Sequence, residues 1–353
     1  MVSRCVLAAL ALLVAYLFFW PIDADPLAWQ PPVPLAASRA ADSDFSTVEL
    51  LGLGAGVGPE DVAIDARGRL YAGMLDGRIM QFDADGGGRP YAFADTGGRP
   101  LGLDFDNDGN LIVADAIRGL LCIDPAGTIS VLATEHDGVP FMFTDDVDVA
   151  PSGLIYFTDA SWKRGLHDYP IDFIEQRGYG RLLRFNPDTN TTDLLMANLN
   201  FANGVAVSPD ESFVLVVETA RYCIHRYWLK GPRLGESEIF IDNLPGFPDG
   251  VSCNGVDRFW AAIVSPCSPV MDFAHPRPWL KRAMLRLPRS LLPAPRHDGH
   301  VLGLDLDGNI AMTLRDPTGQ RFSLITSVEE HGGMLYFGSL ARESFARIRR
   351  PGR

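Results

Sequence analysis

One phrase recurs six times along this chain, and it limits the available folds more than any other feature. The phrase is a small turn, a short alternating strand, a tight turn rich in Asp, Asn or Gly, and a second, more apolar strand. Its clearest copy is Phe201-Ala202-Asn203-Gly204-Val205-Ala206-Val207-Ser208-Pro209-Asp210, followed by residues 211–218. The others begin at Pro59-Glu60-Asp61, Pro100-Leu101-Gly102, Thr144-Asp145-Asp146, Pro248-Asp249-Gly250 and Ile325-Thr326-Ser327. Equivalent positions lie 41, 44, 58, 46 and 77 residues apart. A period of about 40–45 residues is that of a four-stranded propeller blade. The expected fold is therefore all-β, a six-bladed β-propeller over residues 46–350, with insertions where the spacing is long.

Blade-like units are read at about 46–85, 86–127, 128–189, 190–230, 231–298 and 299–350. The third unit carries an aromatic insertion, Trp162 to Tyr179, and the fifth a larger one, Ser265 to Pro295. Within the latter, residues 278–287 have helical spacing. Pro278 opens the segment, apolar residues fall at 280, 283, 284 and 287, and basic residues stand between them. Two readings are open: a short helix covering the end of the propeller, or a basic amphipathic helix at a membrane surface.

Residues 1–24 contain an uncharged, mostly apolar run, Val6 to Trp20, preceded by Arg4. The run is short for a bilayer span of about 20 residues and suits a signal-peptide core. No crisp small-residue cleavage site follows it. The expectation is a signal anchor that holds the propeller on the non-cytoplasmic side of a membrane, with a cleaved signal and a secreted body as the alternative. Residues 25–45, rich in Pro and Ala, read as a linker.

The net charge of −13 argues against nucleic acid as a partner. Many acidic residues stand in Asp-rich turns such as Asp104 to Asp108, where the carboxylate caps its own backbone. That run lacks the bidentate Glu of an EF-hand loop. Of five cysteines, Cys122, Cys223 and Cys253 lie in strand-like runs and read as buried thiols; one disulfide is open.

In a propeller the inner strands surround a channel, so the six equivalent positions converge: Glu60, Leu101, Asp145, Asn203, Asp249 and Thr326. Four of these are oxygen donors. Three carboxylates around one axis repel one another unless a cation joins them, and Ca²⁺ takes six to eight such oxygens. The absence of Cys or His at these positions disfavours zinc there. A bound Ca²⁺ with open positions polarises a carbonyl, and Asp249 or Asp145 would serve as base or nucleophile. No Gly-x-Ser-x-Gly elbow is present.

Several phrases carry a resemblance. They are Tyr156-Phe157-Thr158-Asp159-Ala160-Ser161, Gly180-Arg181-Leu182-Leu183-Arg184-Phe185, Asn203-Gly204-Val205-Ala206-Val207-Ser208, Glu218-Thr219-Ala220-Arg221 and Glu330-His331-Gly332-Gly333. With them the chain resembles the strictosidine synthase-like branch of six-bladed propellers, which is related to the gluconolactonase and paraoxonase families. The resemblance implies a channel calcium held at Glu60, Asn203 and Asp249, with Asp145 where those relatives carry Asn. It also implies two departures. The glutamate that serves strictosidine synthase falls on Thr326, so the amine–aldehyde condensation should be missing. The histidine of the paraoxonases falls on Leu101. Leu101 and Thr326 would then border the substrate.

The leading expectation is a Ca²⁺-dependent hydrolase of small esters or lactones. The rival is a non-catalytic, membrane-anchored binding propeller with a structural Ca²⁺. None of the seven histidines offers a better catalytic candidate, and Glu218 reads as a structural ion-pair partner of Arg221.

Overall fold

Each copy of the phrase forms the two inner strands of one blade in the computed structural model, which describes residues 2–35 and 45–352. The innermost strands are Val62–Ile64, Pro100–Phe105, Thr144–Val149, Ala202–Val207, Gly246–Cys253 and Ile325–His331. Each pairs antiparallel with the next strand in sequence, and each of the six blades has four strands; a two-stranded ribbon, Glu135–His136 with Val139–Pro140, stands apart from them. The turns close as their residue types dictate. Asp65 Oδ1 accepts from the backbone of Arg67 and Arg69, and Asp106 Oδ1 from Asp108 and Asn110.

The units read from sequence begin one strand early, and the last begins two strands early. Tyr91–Asp95 is the outer strand of the first blade, and Gly299–Leu304 with Ile310–Asp316 completes the fifth. Glu49–Leu51 belongs to the sixth blade, where Glu49 pairs with Arg347 and Leu51 with Phe345. This pairing closes the ring with a strand from the other end of the chain, and Arg347 Nε donates to Glu49 at 2.8 Å. Local periodicity locates strands but does not say which sheet an outer strand joins.

The core lies between the blades. Six apolar clusters each span two neighbours, for example Tyr71 with Leu103 and Val113, or Tyr156 and Leu182 with Val205 and Val214. Near the channel the backbones come very close. A Cβ on Gly204 would stand 2.4 Å from the Val251 nitrogen and 2.6 Å from the Asp249 carbonyl oxygen. Gly204→Ala is therefore expected to cost about 1–3 kcal/mol through forced separation of two blades. Thermal unfolding of the variant checks this, and an unchanged midpoint would refute the tight contact.

The fifth-blade insertion forms two short helices, Pro269–Ala274 and Pro278–Met284, and the third-blade insertion forms Pro170–Glu175. All three begin with proline, whose missing N–H is no loss in a first turn. The N-terminal helix, Val2–Phe19, rests on Pro278–Met284: the Phe18 and Trp279 rings stack at 6.2 Å, and Tyr16 OH donates to the Arg286 carbonyl. Residues 20–35 then run across the insertions. The backbone of Leu27 donates to Glu175, that of Trp29 to His275, and that of Leu35 to Asn243. Lys281, wholly buried, donates to the Leu27 carbonyl at 2.6 Å, and burial pushes its ammonium down to about 7. Of the segment read as a linker, residues 36–44 lie outside the described residues. Among the described residues no helix is long and apolar enough to cross a membrane. All five cysteines are free.

Candidate metal centre in the channel

The candidate positions are aimed by a repeated backbone device. In blades two to six the register of the innermost strand shifts across the same place: between Pro100 and Leu103, Thr144 and Val147, Ala202 and Val205, Pro248 and Val251, and Ile325 and Val328. Each shift brackets the position singled out in sequence. Such a bulge leaves the ladder locally unpaired and re-aims a side chain. Glu60 lies just before the first strand, its N–H on the Gly73 carbonyl.

Glu60, Asp145, Asn203 and Asp249 are all buried. Burial, and then the charges of Asp249 and Asp61, hold the Glu60 carboxyl well above its usual range against the opposing pull of Arg99. Burial and the charges of Glu60, Asp249 and Asp146 do the same to Asp145. Burial pushes Asp249 up to about 7 while a hydrogen bond with Asn203 opposes it. Glu60, Asp145 and Asp249 thus repel one another across the channel, although among the described residues only Glu218, Cys223 and His225 bring three ligand atoms within 4.8 Å of one another. Asp145 Oδ2 is buried with no hydrogen-bond partner. No histidine figures among the charges that shift these three groups.

A cation inside this site escaped the sequence reading. Arg99, 2% exposed, donates to the carbonyls of Gly58 at 2.9 Å and Gly73 at 3.4 Å, and interacts with Glu60 and Asp145. Its one signal in sequence is its place two residues before Leu101. Three carboxylates and one guanidinium leave two negative charges, the deficit a divalent cation makes good. Together with the orphaned Asp145 oxygen and the Asn203 amide, the donor set is hard, oxygen-only and acidic, which fits Ca²⁺.

The other two positions have different roles. Leu101 joins an apolar cluster with Phe143 and Phe201. Tyr169 and Phe173, from the third-blade insertion, pack on it: Phe173 lies 4.6 Å and Tyr169 5.7 Å from Phe201, ring centre to ring centre. Burial, and then the charges of Asp249 and Asp145, raise the Tyr169 phenol. Thr326 Oγ1 donates to the Glu60 carbonyl at 2.5 Å and so joins the last blade to the first.

A second set of carboxylates, on the innermost strands or just before them, ties neighbouring blades together. Asp61 accepts the N–H of Leu103, Asp104 that of Val149, Asp146 that of Val205 and Asp148 that of Val207, each in the next blade. Within the run Asp104 to Asp108, then, Asp106 caps its turn as the sequence suggests, whereas Asp104 reaches across to a neighbouring blade. Glu218 also differs from its expected pairing: its Oε2 lies 2.7 Å from His225 Nε2.

Comparison with known proteins agrees with this architecture. The strictosidine synthase family model matches residues 145–232, and the model of the strictosidine synthase-like N-terminal region matches residues 40–82. Strictosidine synthase-like protein 6 of Arabidopsis thaliana is 36% identical over 306 residues, covering 85% of this chain and 81% of its own. The adipocyte plasma membrane-associated protein of Bos taurus is 32% identical over 351 residues, covering 93% and 84%. Among solved structures, a gluconolactonase from Xanthomonas campestris superposes with a TM-score of 0.63 at 19% identity, over 94% of this chain and 99% of its own. Regucalcin from Agrobacterium tumefaciens, described as a calcium-binding protein, superposes with a TM-score of 0.58 at 19% identity, over 86% and 93%. Those two likenesses concern the fold; the sequence relatives, matched over most of their length, establish that this chain belongs to the strictosidine synthase-like family of six-bladed β-propellers.

Proposed function

We propose that the chain is a calcium-dependent hydrolase of small esters or lactones, with its reaction centre in the propeller channel. The observation that carries this reading is the unpartnered, buried Asp145 oxygen beside Glu60 and Asp249. Glu60, Asp145, Asn203 and Asp249 would hold the ion, which when bound supplies positive charge for a carbonyl oxygen and for the oxyanion that develops there. Leu101, Phe143, Phe201 and Phe173 would seat the apolar part of a substrate. Asp249 would take a proton from water as the water oxygen bonds to the carbonyl carbon. As the ester C–O bond breaks, Asp249 would return that proton to the leaving oxygen. The Tyr169 hydroxyl, whose phenol feels the charges of Asp249 and Asp145, would donate to an oxygen of the substrate.

The rival reading, a non-catalytic binding propeller with a structural ion, draws support from Leu101 and Thr326. The first is apolar and the second is engaged with the Glu60 carbonyl. Strictosidine synthase-type condensation is disfavoured by the same Thr326. Hydrolysis of phenyl acetate and a set of simple lactones, with Ca²⁺ and after chelation, separates the two main readings. Turnover that vanishes with chelator and returns with Ca²⁺ supports the hydrolase. No turnover, with a melting temperature that still falls on chelation, supports the structural ion.

We propose further that the N-terminal helix attaches the protein to a membrane and leaves the propeller on the non-cytoplasmic side. Apolar side chains of the helix are exposed, including Leu7, Leu12 and Phe19, and Phe273, Trp279 and Leu291 of the fifth-blade insertion are exposed as well. Co-flotation of the full chain with liposomes, lost on removal of residues 1–24, is the expected result. Recovery of the full chain only in the soluble fraction would refute it.

A further inference from the structure

We propose that Glu218, Cys223 and His225, on the fourth blade and separate from the channel site, bind a zinc ion that keeps one exchangeable ligand position. The placement follows from strand geometry. Glu218 ends the second strand of the blade and Cys223 begins the third; the two are direct cross-strand partners. The turn between them is a single 3₁₀ turn, Thr219–Arg221, reversed by Tyr222 at φ 59°. His225 stands two residues beyond Cys223 and therefore shares its face. Glu, Cys and His are thus brought onto one patch of one sheet.

Their donor atoms converge on one point. Cys223 Sγ is 3.6 Å from Glu218 Oε2 and 3.6 Å from His225 Nε2, and the last two are 2.7 Å apart. A cysteine–histidine–carboxylate relay would engage the two different ring nitrogens of the histidine, one toward each neighbour. Here both contacts are made by Nε2, so the three groups do not form a relay. They face a common centre instead. With zinc at about 2.3 Å from sulfur and about 2.0 Å from nitrogen or oxygen, a tetrahedral S–N or S–O edge is roughly 3.5 Å. Both sulfur edges already have that length. The Glu218–His225 edge needs to open from 2.7 Å to roughly 3.3 Å, a movement of side chains alone.

The surroundings suit a metal ligand set. The other Glu218 oxygen, Oε1, accepts from both the backbone and the side-chain nitrogen of Asn200, which fixes the carboxylate and leaves Oε2 free to turn inward. Glu218 and Cys223 are buried and border a cavity of about 470 Å³ lined also by Trp29, Arg221, Asp242 and Asn243. Three protein ligands beside a cavity, with no fourth protein donor among the described residues, suit an open zinc site rather than a closed structural one. The Arg221 guanidinium, held over the Trp29 ring at 4.8 Å, lines the same cavity. A small anion at the fourth position, a carboxylate or phosphate group, would meet it there.

Titration of the full-length protein with Co²⁺ tests the site, because a thiolate ligand gives a charge-transfer band in the near ultraviolet that oxygen ligands in the channel do not. The expected result is one equivalent of Co²⁺ producing that band with tetrahedral visible absorption, and its displacement by Zn²⁺. Cys223→Ser should abolish the band, whereas Cys253→Ser, Cys267→Ser and the channel variant Asn203→Ala should keep it. His225→Gln, which preserves a hydrogen bond with Glu218, should weaken Co²⁺ binding about tenfold or more and covers the case in which Cys223→Ser does not fold. Absence of the band in the wild-type protein, its survival in Cys223→Ser, or unchanged affinity in His225→Gln would overturn the assignment.

Discussion

Asp249→Asn is expected to lower kcat for ester hydrolysis by about 10²–10⁴-fold at saturating Ca²⁺, which is the usual contribution of a positioned general base. The substitution is isosteric and retains the capacity to hydrogen-bond Asn203, so the fold should survive. Burial pushes Asp249 up to about 7 against the opposing hydrogen bond with Asn203, and the repulsion it shares with Glu60 and Asp145 is mutual. A base titrating near neutrality is the one best matched to proton transfer at neutral pH. The wild-type rate should therefore rise with pH through an acidic limb, and the variant should lose that limb along with the rate. A variant with full kcat and an unchanged pH profile would remove Asp249 from the chemistry and favour the structural reading of the ion.

The second large effect is on stability, and its sign follows from the buried carboxylates Asp104, Asp148 and Glu329. Burial, with repulsion from Asp148, holds Asp104 well above the usual carboxylate range. Burial pushes Asp148 up to about 6, and burial with the charges of Asp104, Asp61 and Asp148 raises Glu329 far above its usual value. The folded chain therefore keeps protons that the unfolded chain has released. The associated stability is complete below about pH 4 and is lost as pH rises through about 6 for Asp148, and higher for the other two. In chelator the melting temperature should fall between about pH 4 and about pH 7, by roughly 3 °C for a loss of about 2 kcal/mol. Calcium at about 100 times its dissociation constant should restore roughly 2.7 kcal/mol near neutrality and do little near pH 4, where the carboxylates are protonated. Calorimetry across this range, with and without Ca²⁺, checks both arms. A melting temperature in chelator that rises towards neutral pH would mean that the channel carboxylates are compensated by groups other than a cation.

The blade count and the channel positions were legible in the chain because both depend on short-range rules. Alternation with period two marks a strand, Asp and Gly mark the turns, and a repeated phrase puts equivalent residues at equivalent places around an axis. Glu60, Asp145, Asn203 and Asp249 could be found together for that reason, although no two of them are close in sequence. The helix at Pro278–Met284 was legible from the same kind of local pattern. Arg99 was not. Nothing in its own phrase distinguishes it, and only the closed ring brings its guanidinium beside carboxylates from the first and third blades. The cross-blade bonds of Asp104 and Asp148 were hidden likewise, because an Asp near a turn reads first as a cap for its own backbone.

Sequence alone therefore determined what repetition and local chemistry can determine: six β units, oxygen donors at four of six axial positions, and membership of a family. Tertiary structure decided the pairings that depend on distance through space. Glu49–Leu51 joins the sixth blade because closing the ring satisfies the free edge of its third strand, Phe345–Arg349. Glu218 meets Cys223 and His225 rather than Arg221 because Tyr222, in the left-handed region, reverses the chain after Arg221 and sets the third strand against the second. In each case the deciding quantity is which backbone groups and side chains can be satisfied once the blades are packed, and that is not written in any stretch of the chain taken separately.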